Sequence, residues 1–301
     1  MTRPDEPAPP PPALPDDFRA AVAAQLAAAG FTVLDWERTG VNVRPAAGGD
    51  GQYIGLANLY RRAKADDPAT WPELVHGFLD RLSHTKAQDI PTDLATVADK
   101  LRPRLGQPFD RDQAHPWGIP LPGTGLEITL VIDFPQTMAF VTDDMLKKSR
   151  KKGEDLLDFA LENLRAATPG DYFERASDEL DIYLGHAGDG YDAARALMVE
   201  ELMPESPAGF WVAIPSREEL AVWPVSFAAL GRVHVLKMFA EENFRAHAYP
   251  VSDEVFWVWH GTWYRFGISL KGDGVVIDAP DPFGAALREL EGCEPPGEPG
   301  A

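Results

Sequence analysis

The chain has 301 residues, and its 28 Lys and Arg against 47 Asp and Glu give a formal charge of −19. This charge argues against a general nucleic-acid-binding protein, which needs a positive field to attract phosphates, and against docking on anionic membrane surfaces. We therefore expect neither a nucleic-acid partner nor a membrane partner.

The two ends of the sequence differ in composition from its middle. Residues 1–15 are rich in Pro, which fixes φ and removes the backbone donor, so we predict a disordered arm. Residues 286–301, rich in Pro and Gly towards their end, are predicted to form a flexible tail. The single cysteine, Cys293, permits no intrachain disulfide, which is typical of a reducing cytoplasm, and we expect a cytoplasmic location.

The first elements of the sequence follow two different periodicities. Apolar residues at i, i+3 and i+4 spacing, after Asp16 and before Gly30, predict an amphipathic helix. Short strands are then predicted at 31–36 and 41–44, around a polar turn. We assign residues 16–102 to a helix-rich N-terminal subdomain.

A capping pattern and a proline-rich stretch organise the next part of the chain. Thr70 and Glu73 have the spacing of a capping box, with Pro72 near the first turn, so a helix is predicted to begin there. Residues 103–125 contain five prolines and four glycines, a composition that predicts a linker between domains.

Residues 126–285 change character, and we assign them to an α+β C-terminal domain. Alternation over 126–133, followed by a turn into 138–141, predicts a β-hairpin. A helix is predicted from Asp143 to Gly153. The predicted fold class is α+β, with a mixed, mostly antiparallel sheet, flanking helices, a disordered Pro-rich N-terminus and a short disordered C-terminus.

Three segments of the second half combine strands, helices and short motifs in a recognisable order. A strand leads to a helix pair in 139–164, an apolar strand runs into Pro-Ser-Arg in 209–223, and Tyr-Pro-Val-Ser precedes an aromatic strand in 249–263. With these segments, the chain resembles the YtpQ-like family of bacterial proteins, a domain of unknown function. The resemblance implies a bacterial, intracellular protein and a layout of elements, but no reaction.

Short motifs with a known chemistry are missing from the sequence, including the P-loop, His-Glu-x-x-His, Cys-x-x-Cys and the Gly-x-Ser-x-Gly elbow. The segment Gly185–Gly190 is closest to a phosphate-binding loop, but Asp189 and Asp192 place negative charge there. We interpret it as a turn with helix capping. The seven histidines have no metal-ligand spacing, so we predict no metal and no cofactor.

A basic run and an arginine are possible contact points for acidic groups. Residues 147–152 include five basic side chains, which complement a helix dipole or bind an acidic partner. Arg217 follows an apolar strand, where its guanidinium could clamp a carboxylate or phosphate. Pairing of Arg217 with Glu218 or Glu219 is the simpler interpretation.

An aromatic hairpin across 255–259 and 263–266 is the second candidate for a binding surface. Trp and Tyr side chains dominate interface hot spots, although core packing is the simpler interpretation. The candidate binding residues of the sequence are Arg217, Trp257, Trp259, His260 and Trp263.

The predicted function is a non-catalytic module that binds an unknown protein or a small ligand through its C-terminal sheet. The alternative is a hydrolase that uses paired carboxylates and Arg217, which a cleft holding two acids near this arginine would favour. A purely structural role is the third interpretation.

Overall fold

The computed structural model shows an α+β protein whose chain divides into two compact units, residues 1–89 and 90–301. The described residues are 13–38, 40–48, 51–64, 66–84, 91, 93–109, 116–134, 138–177, 179–271 and 274–293. No helix among them is both long enough and apolar enough to cross a bilayer.

The helices and strands alternate irregularly along the chain. The α-helices are α1 Asp16–Ala28, α2 Ala57–Ala63, α3 Trp71–His84, α4 Asp143–Ser149, α5 Gly153–Ala167, α6 Asp192–Arg195, α7 Val199–Leu202, α8 Phe227–Leu230, α9 His234–Ala246 and α10 Phe283–Cys293. Short 3-10 helices lie at Pro68–Thr70, Leu94–Lys100 and Ala196–Met198. The strands are β1 Phe31–Trp36, β2 Gly40–Pro45, β3 Gln52–Gly55, β4 Leu101–Gly106, β5 Gly118–Leu121, β6 Leu126–Asp133, β7 Met138–Phe140, β8 Phe173–Arg175, β9 Tyr183–Gly185, β10 Phe210–Ser216, β11 Glu219–Pro224, β12 Val255–Trp259, β13 Thr262–Lys271 and β14 Gly274–Asp278.

The first unit contains an antiparallel sheet in the order β1-β2-β3. Helix α1 buries Phe18, Val22 and Leu26, which recur every four residues and therefore share one face. Gly30 follows α1 with a φ of 80°, a left-handed conformation that favours glycine. The predicted helix, its glycine stop and the first two strands are confirmed.

The beginning of the first unit differs from the prediction of a disordered arm over 1–15. Leu14 is buried in the same core as Phe18, and its backbone N–H donates to the carbonyl of Arg38 at 3.1 Å. An apolar side chain close to α1 gains more from burial than from exposure, so the arm is anchored at this point. Residues 1–12 lie outside the described part of the chain.

Helix α3 begins near the predicted position but by a different cap. Asp67 accepts a hydrogen bond from the backbone N–H of Ala69 at 2.9 Å and caps the 3-10 turn that leads into the helix. The Thr70 hydroxyl instead donates to the carbonyl of Asp67 at 2.8 Å. The predicted capping box of Thr70 and Glu73 is therefore replaced by a cap three residues earlier.

The second unit contains a seven-stranded sheet in the order β14-β13-β12-β10-β11-β9-β8, and its described strand pairs are antiparallel. Strand β10 lies at the centre and is buried along its whole length. Phe210 and Val212 face one hydrophobic core, whereas Trp211 and Ala213 face the other. The sheet is therefore covered on both faces, as the two-sided apolar pattern requires.

A smaller antiparallel sheet occupies the predicted linker. Strands β4 and β5 both pair with β6, and β7 pairs with β6 beyond β5. Residues 103–106 and 118–121 are thus strands of a sheet, and the boundary between the units lies at residues 89 and 90. Pro103 is tolerated because β4 is an edge strand, where the missing N–H leaves no ladder bond unmade. The hairpin of β6 and β7 is confirmed, although residues 135–137 of its turn lie outside the described residues.

The basic run does not end a single helix at Gly153. Helix α4 ends at Ser149, Arg150 adopts a left-handed φ of 55°, and Gly153 is the first residue of α5. A Cβ at Gly153 would lie 1.9 Å from the indole of Trp117, so glycine is needed there for packing. Only Lys147 and Lys148 lie in the last turn of α4.

The C-terminal end is ordered further than predicted. Helix α10 continues to Cys293 and buries Ala286 and Leu290 against the core that contains Trp211. The predicted flexible tail over 286–301 therefore begins with helix, because these apolar residues recur every four positions. Residues 294–301 lie outside the described chain.

Candidate functional site

The candidate residues from the sequence lie at opposite ends of β10. Strands β10 and β12 are antiparallel, with Phe210 opposite Val258, so the β12–β13 turn that holds His260 lies beside the start of β10. Arg217 follows the other end of β10, seven positions from Phe210. At 3.3 Å per residue this separation is roughly 20 Å. Arg217 and the aromatic hairpin therefore do not form one site.

The tryptophans of the hairpin pack inside the molecule. Trp257 is fully buried, and its indole N–H donates to the carbonyl of Ala208 at 2.8 Å. Trp259 is half-buried and stacks on Trp257 with ring centroids 5.3 Å apart. Trp263 is buried in the core on the opposite face of the sheet. These contacts are those of a hydrophobic core, and they leave little of these rings for a partner.

His260 is the exposed residue of the hairpin, and it lines a surface cavity of about 740 Å³ together with Glu200, Glu205, Arg288 and Glu289. The imidazole Nε2 lies 3.5 Å from a carboxylate oxygen of Glu289. Glu200 accepts a hydrogen bond from the backbone N–H of Gly261 at 2.7 Å. The polar groups of this cavity are thus engaged with one another, and its charge is predominantly negative.

The turn between β10 and β11 fixes the position of Arg217. Its backbone N–H donates to the carbonyl of Tyr249 at 3.0 Å, and its carbonyl accepts from the N–H of Ala193 at 3.2 Å. The guanidinium carbon lies 3.4 Å from the centroid of the Tyr249 ring. Two of its nitrogens donate to one carboxylate oxygen of Glu218, at 3.2 and 3.1 Å. The structure therefore shows the pairing with Glu218.

A buried ionic cluster holds the loop of residues 186–192 beside this turn. We call Arg195, Asp189, Asp192 and Tyr172 the Arg195 cluster. The fully buried Arg195 guanidinium donates to both oxygens of Asp189, at 2.8 and 2.6 Å, and to Asp192 at 3.2 Å. The Tyr172 hydroxyl donates to the same Asp192 oxygen at 2.8 Å. Asp189 and Asp192 thus bind a cation inside the protein, which explains why acids occur in this glycine-rich loop.

The two carboxylates of the Arg195 cluster titrate in opposite directions. Burial opposes ionisation of Asp189, but its hydrogen bonds to Arg195 outweigh this effect and lower its pKa. Burial raises the pKa of Asp192 despite its hydrogen bonds. Its second oxygen is buried without a hydrogen-bond partner among the described residues.

Two histidines contact the residues directly after Arg217. His186 Nδ1 lies 2.9 Å from the carbonyl oxygen of Glu218 and 3.9 Å from the second oxygen of Asp192. The hydrogen bond to the Glu218 carbonyl is the main cause that raises the pKa of His186. His247 Nε2 lies 3.0 Å from a carboxylate oxygen of Glu219, whose pKa is raised by burial. The turn is therefore held by one imidazole on each of its two glutamates.

A second arginine approaches Arg217 from the smaller sheet. Arg104, on β4, is half-buried, donates to the sulfur of Met138 at 3.1 Å and lies 5.6 Å from the centroid of the Phe140 ring. It makes no ion pair with any carboxylate of the described residues. Burial, and then the positive charge of Arg217, lower the pKa of Arg104 to about 10. The guanidinium is still charged at neutral pH, and it is held near another cation.

Two tyrosines complete this arrangement. Tyr191 and Tyr249 both lie close enough to Arg104 to influence its pKa. The Tyr191 side chain is buried, and its hydroxyl lies near the carboxylate of Asp133, although no hydrogen bond within 3.5 Å is formed in the described part of the chain. Burial, and then the negative charge of Asp133, raise the pKa of Tyr191, so the phenol stays protonated and can donate. We call Arg104, Arg217, Tyr191 and Tyr249 the Arg104 cluster.

Metal-ligating residues do not assemble near this cluster. Over the described ranges, no group of three or more His, Cys, Asp or Glu side chains could hold a metal ion. Two acids with raised pKa values, Asp192 and Glu219, do lie beside the turn of Arg217, although Asp192 is fully buried.

The sequence analysis missed most of these residues. Arg102 and Arg104 alternate with the buried Leu101, Pro103 and Leu105, which is the period of a strand with one apolar face. That alternation was a signal for β4, and the prolines within 103–125 obscured it.

No family model, no curated protein and no solved structure matches the chain. The resemblance to the YtpQ-like family therefore stays a prediction, as do the bacterial and cytoplasmic setting. The candidate site rests on the geometry of the chain itself.

Proposed function

We propose that the protein is a non-catalytic module that binds a small ligand through a carboxylate at the Arg104 cluster. The observation that carries this proposal is the guanidinium of Arg104, which is half-buried beside Arg217 without a carboxylate partner in the described chain. The acidic character of the whole protein makes such a pair of close cations exceptional. The ligand's carboxylate would supply the missing counter-charge.

The energetics favour an anionic ligand at this position. Removing a cation from water is unfavourable unless an opposite charge or strong acceptors replace the lost hydration. Arg104 has one sulfur acceptor, and a thioether is a weak acceptor. A carboxylate accepts two parallel N–H bonds from a guanidinium fork, which is the strongest pairing available to arginine.

The Tyr191 hydroxyl is a second buried donor near Arg104, and Asp133 is the acceptor that lies closest to it among the groups that influence its pKa. Buried donors are usually matched by a well-placed acceptor, and no hydrogen bond within 3.5 Å is formed here among the described residues. The phenol lies near Arg104 and is kept protonated by its surroundings. A ligand oxygen between these groups would accept from both of them.

The charges around the cluster indicate a monoanion. Arg104 and Arg217 carry two positive charges, and Glu218 supplies one negative charge to Arg217. Arg102 and Asp133, which influence the neighbouring phenol, cancel each other. With Glu219 also beside the turn, the net charge is at most one positive charge, which matches a monocarboxylate better than a phosphate dianion. The rings beside the two guanidinium groups suit a ligand with a planar, apolar body.

Calorimetric titration with benzoate tests this proposal. We expect the wild-type protein to bind benzoate, and Arg104→Met to weaken binding by about tenfold or more, because a charge-assisted hydrogen bond is lost. Arg245→Met is the matched control, because exposed Arg245 on α9 pairs with Glu241 and with no other carboxylate of the described residues, and its substitution changes the net charge equally. Equal affinities of the two variants would refute the proposal.

A hydrolase is the second candidate, because Asp192 and Glu219 both have raised pKa values and lie next to His186. This candidate predicts turnover of simple carboxylic esters, with an activity lost in Glu219→Gln. Binding of benzoate without any turnover of its esters favours the binding module.

A further inference from the structure

We infer that His186 and His247 are positioning residues for Arg217, and that His186 makes carboxylate binding at the Arg104 cluster tighter as the pH falls. This inference rests on the proposed function, since it concerns the regulation of the same site. It adds two side chains outside the Arg104 cluster, one from the loop after β9 and one from the end of α9. Both contact the turn between β10 and β11.

The contacts of His186 come from the loop that follows β9. Its Nδ1 donates to the carbonyl of Glu218 at 2.9 Å. The side chain is 68% exposed, so it exchanges protons freely. The backbone of Glu218 is therefore held by a titratable group whose pKa is raised above the ordinary histidine value.

The contact of His247 comes from the C-terminal end of α9. Its Nε2 lies 3.0 Å from the Glu219 carboxylate, and its backbone N–H donates to the carbonyl of Asn243 at 2.9 Å. Glu218 and Glu219 are the two residues after Arg217, so both imidazoles act on the same turn.

The charged groups that face the two imidazoles are predominantly negative. His186 faces Asp192 from α6, and Glu218 and Glu219 from the turn. His247 faces Glu219. A proton taken up by His186 therefore cancels part of the negative charge that lies next to Arg217.

The consequence for the ligand follows from electrostatics. At high pH, the unneutralised Glu218 and Glu219 repel an incoming carboxylate, and Glu218 competes directly for Arg217. At lower pH, the protonated imidazole of His186 offsets part of these charges and holds the backbone of the turn, so Arg217 is more available. Since the pKa of His186 is raised, the change begins above the ordinary histidine value of about 6.5.

Benzoate is a suitable probe because its charge is constant over this range, as expected for a carboxylate with an ordinary pKa near 4. We expect its dissociation constant to be about fivefold lower at pH 6 than at pH 8, the size of effect for one or two partly screened charges. Equal dissociation constants at the two pH values would overturn the inference.

Substitutions at the two histidines separate positioning from titration. His186→Asn keeps a donor near the position of Nδ1 but does not titrate, so we expect affinity at pH 8 within about twofold of wild type and a smaller pH ratio. His247→Gln removes the imidazole contact with Glu219, so we expect weaker binding by a similar factor at pH 6 and at pH 8. His76→Gln, at an exposed position of α3 in the first unit, is the control and should keep the full ratio.

The pKa of His186 in the wild-type protein tests the inference even if a variant fails to fold. If protonation of His186 tightens binding, linkage requires that bound benzoate raise the pKa of His186. The NMR chemical shift of its ring proton measures this pKa with and without benzoate. An unchanged pKa with bound benzoate, or a full pH ratio in His186→Asn, overturns the inference and leaves the proposed function intact. Failure of the wild-type protein to bind benzoate at either pH refutes the proposed function instead.

Discussion

Arg195 and Arg104 are two arginines removed from water within one unit, and their surroundings are opposite. Arg195 is fully buried and donates to Asp189, Asp192 and the hydroxyl of Thr168, the last at 3.0 Å. Arg104 is half-buried and donates to a sulfur, with a second arginine nearby. A buried cation that is paired with carboxylates stabilises the fold. A buried cation without a carboxylate partner is a position where a ligand can supply the counter-charge.

The Arg195 cluster also explains how the Arg104 cluster is positioned. Arg195 fixes Asp189 and Asp192 at the two ends of a short segment that contains Tyr191. The Tyr191 backbone N–H donates to Asp189 at 3.0 Å. The loop is therefore rigid where it delivers the phenol to the neighbouring site.

The largest loss of stability is expected when the cation of the Arg195 cluster is removed. Arg195→Met leaves two carboxylates without their partner, and we expect the free energy of unfolding to fall by about 3–5 kcal/mol. Urea denaturation measures this value. Arg175→Met removes an exposed pair with Asp181 and should cost about 1 kcal/mol or less. Similar losses in the two variants would show that the Arg195 cluster is not structural.

The same substitution at the other arginine should have a different effect on stability. Arg104→Met removes a partly desolvated charge without leaving an unpaired carboxylate, so we expect the free energy of unfolding to stay the same or rise by about 1 kcal/mol. Urea denaturation without ligand measures it. A loss comparable with that of Arg195→Met would mean that Arg104 has a structural partner.

Removing the Tyr191 hydroxyl is expected to have a smaller effect on stability. Tyr191→Phe keeps the ring in its core and deletes only a donor. We expect the free energy of unfolding to stay the same or rise by up to about 0.5 kcal/mol, and benzoate binding to weaken. Tyr172→Phe is the matched control, because its hydroxyl donates to Asp192, and it should destabilise the fold. Thermal denaturation compares the two, and a greater loss in Tyr191→Phe would contradict the assignment.

The smallest expected effect is the pH dependence of stability around His186. Its raised pKa means that the folded state holds the proton more tightly, so this contribution is present below about pH 6.5 and is lost as the pH rises through the folded value. The raised pKa values of Asp192 and Glu219 act with the same sign. Urea denaturation should show lower stability at pH 8 than at pH 6, with a smaller difference in His186→Asn. A higher stability at pH 8 would contradict these shifts.

The sequence predicted the elements whose signal is local. The alternation of 126–133 and the apolar period of α1 with Gly30 each depend on neighbours within one element, and both strand and helix are found there. Only part of the Arg195 cluster could be predicted from the sequence. Asp189 was recognised as an acid in a loop, but its partner Arg195, six residues later, was not.

The Arg104 cluster could not be predicted in the same way. Its two arginines are more than a hundred residues apart, and they approach only because β4 and the β10–β11 turn both pack against α6. Prolines in an edge strand resembled a linker, so β4 itself was missed. Arg217 was identified as a candidate anchor, but the hairpin assigned to it lies at the other end of β10.

Benzoate titration of the wild-type protein and Arg104→Met tests the central claim most directly, because it asks whether the unpaired guanidinium is a ligand site. The account predicts binding by the wild type and at least about tenfold weaker binding by the variant, with both proteins equally stable. Equal binding by the two proteins, or none by the wild type, would contradict it.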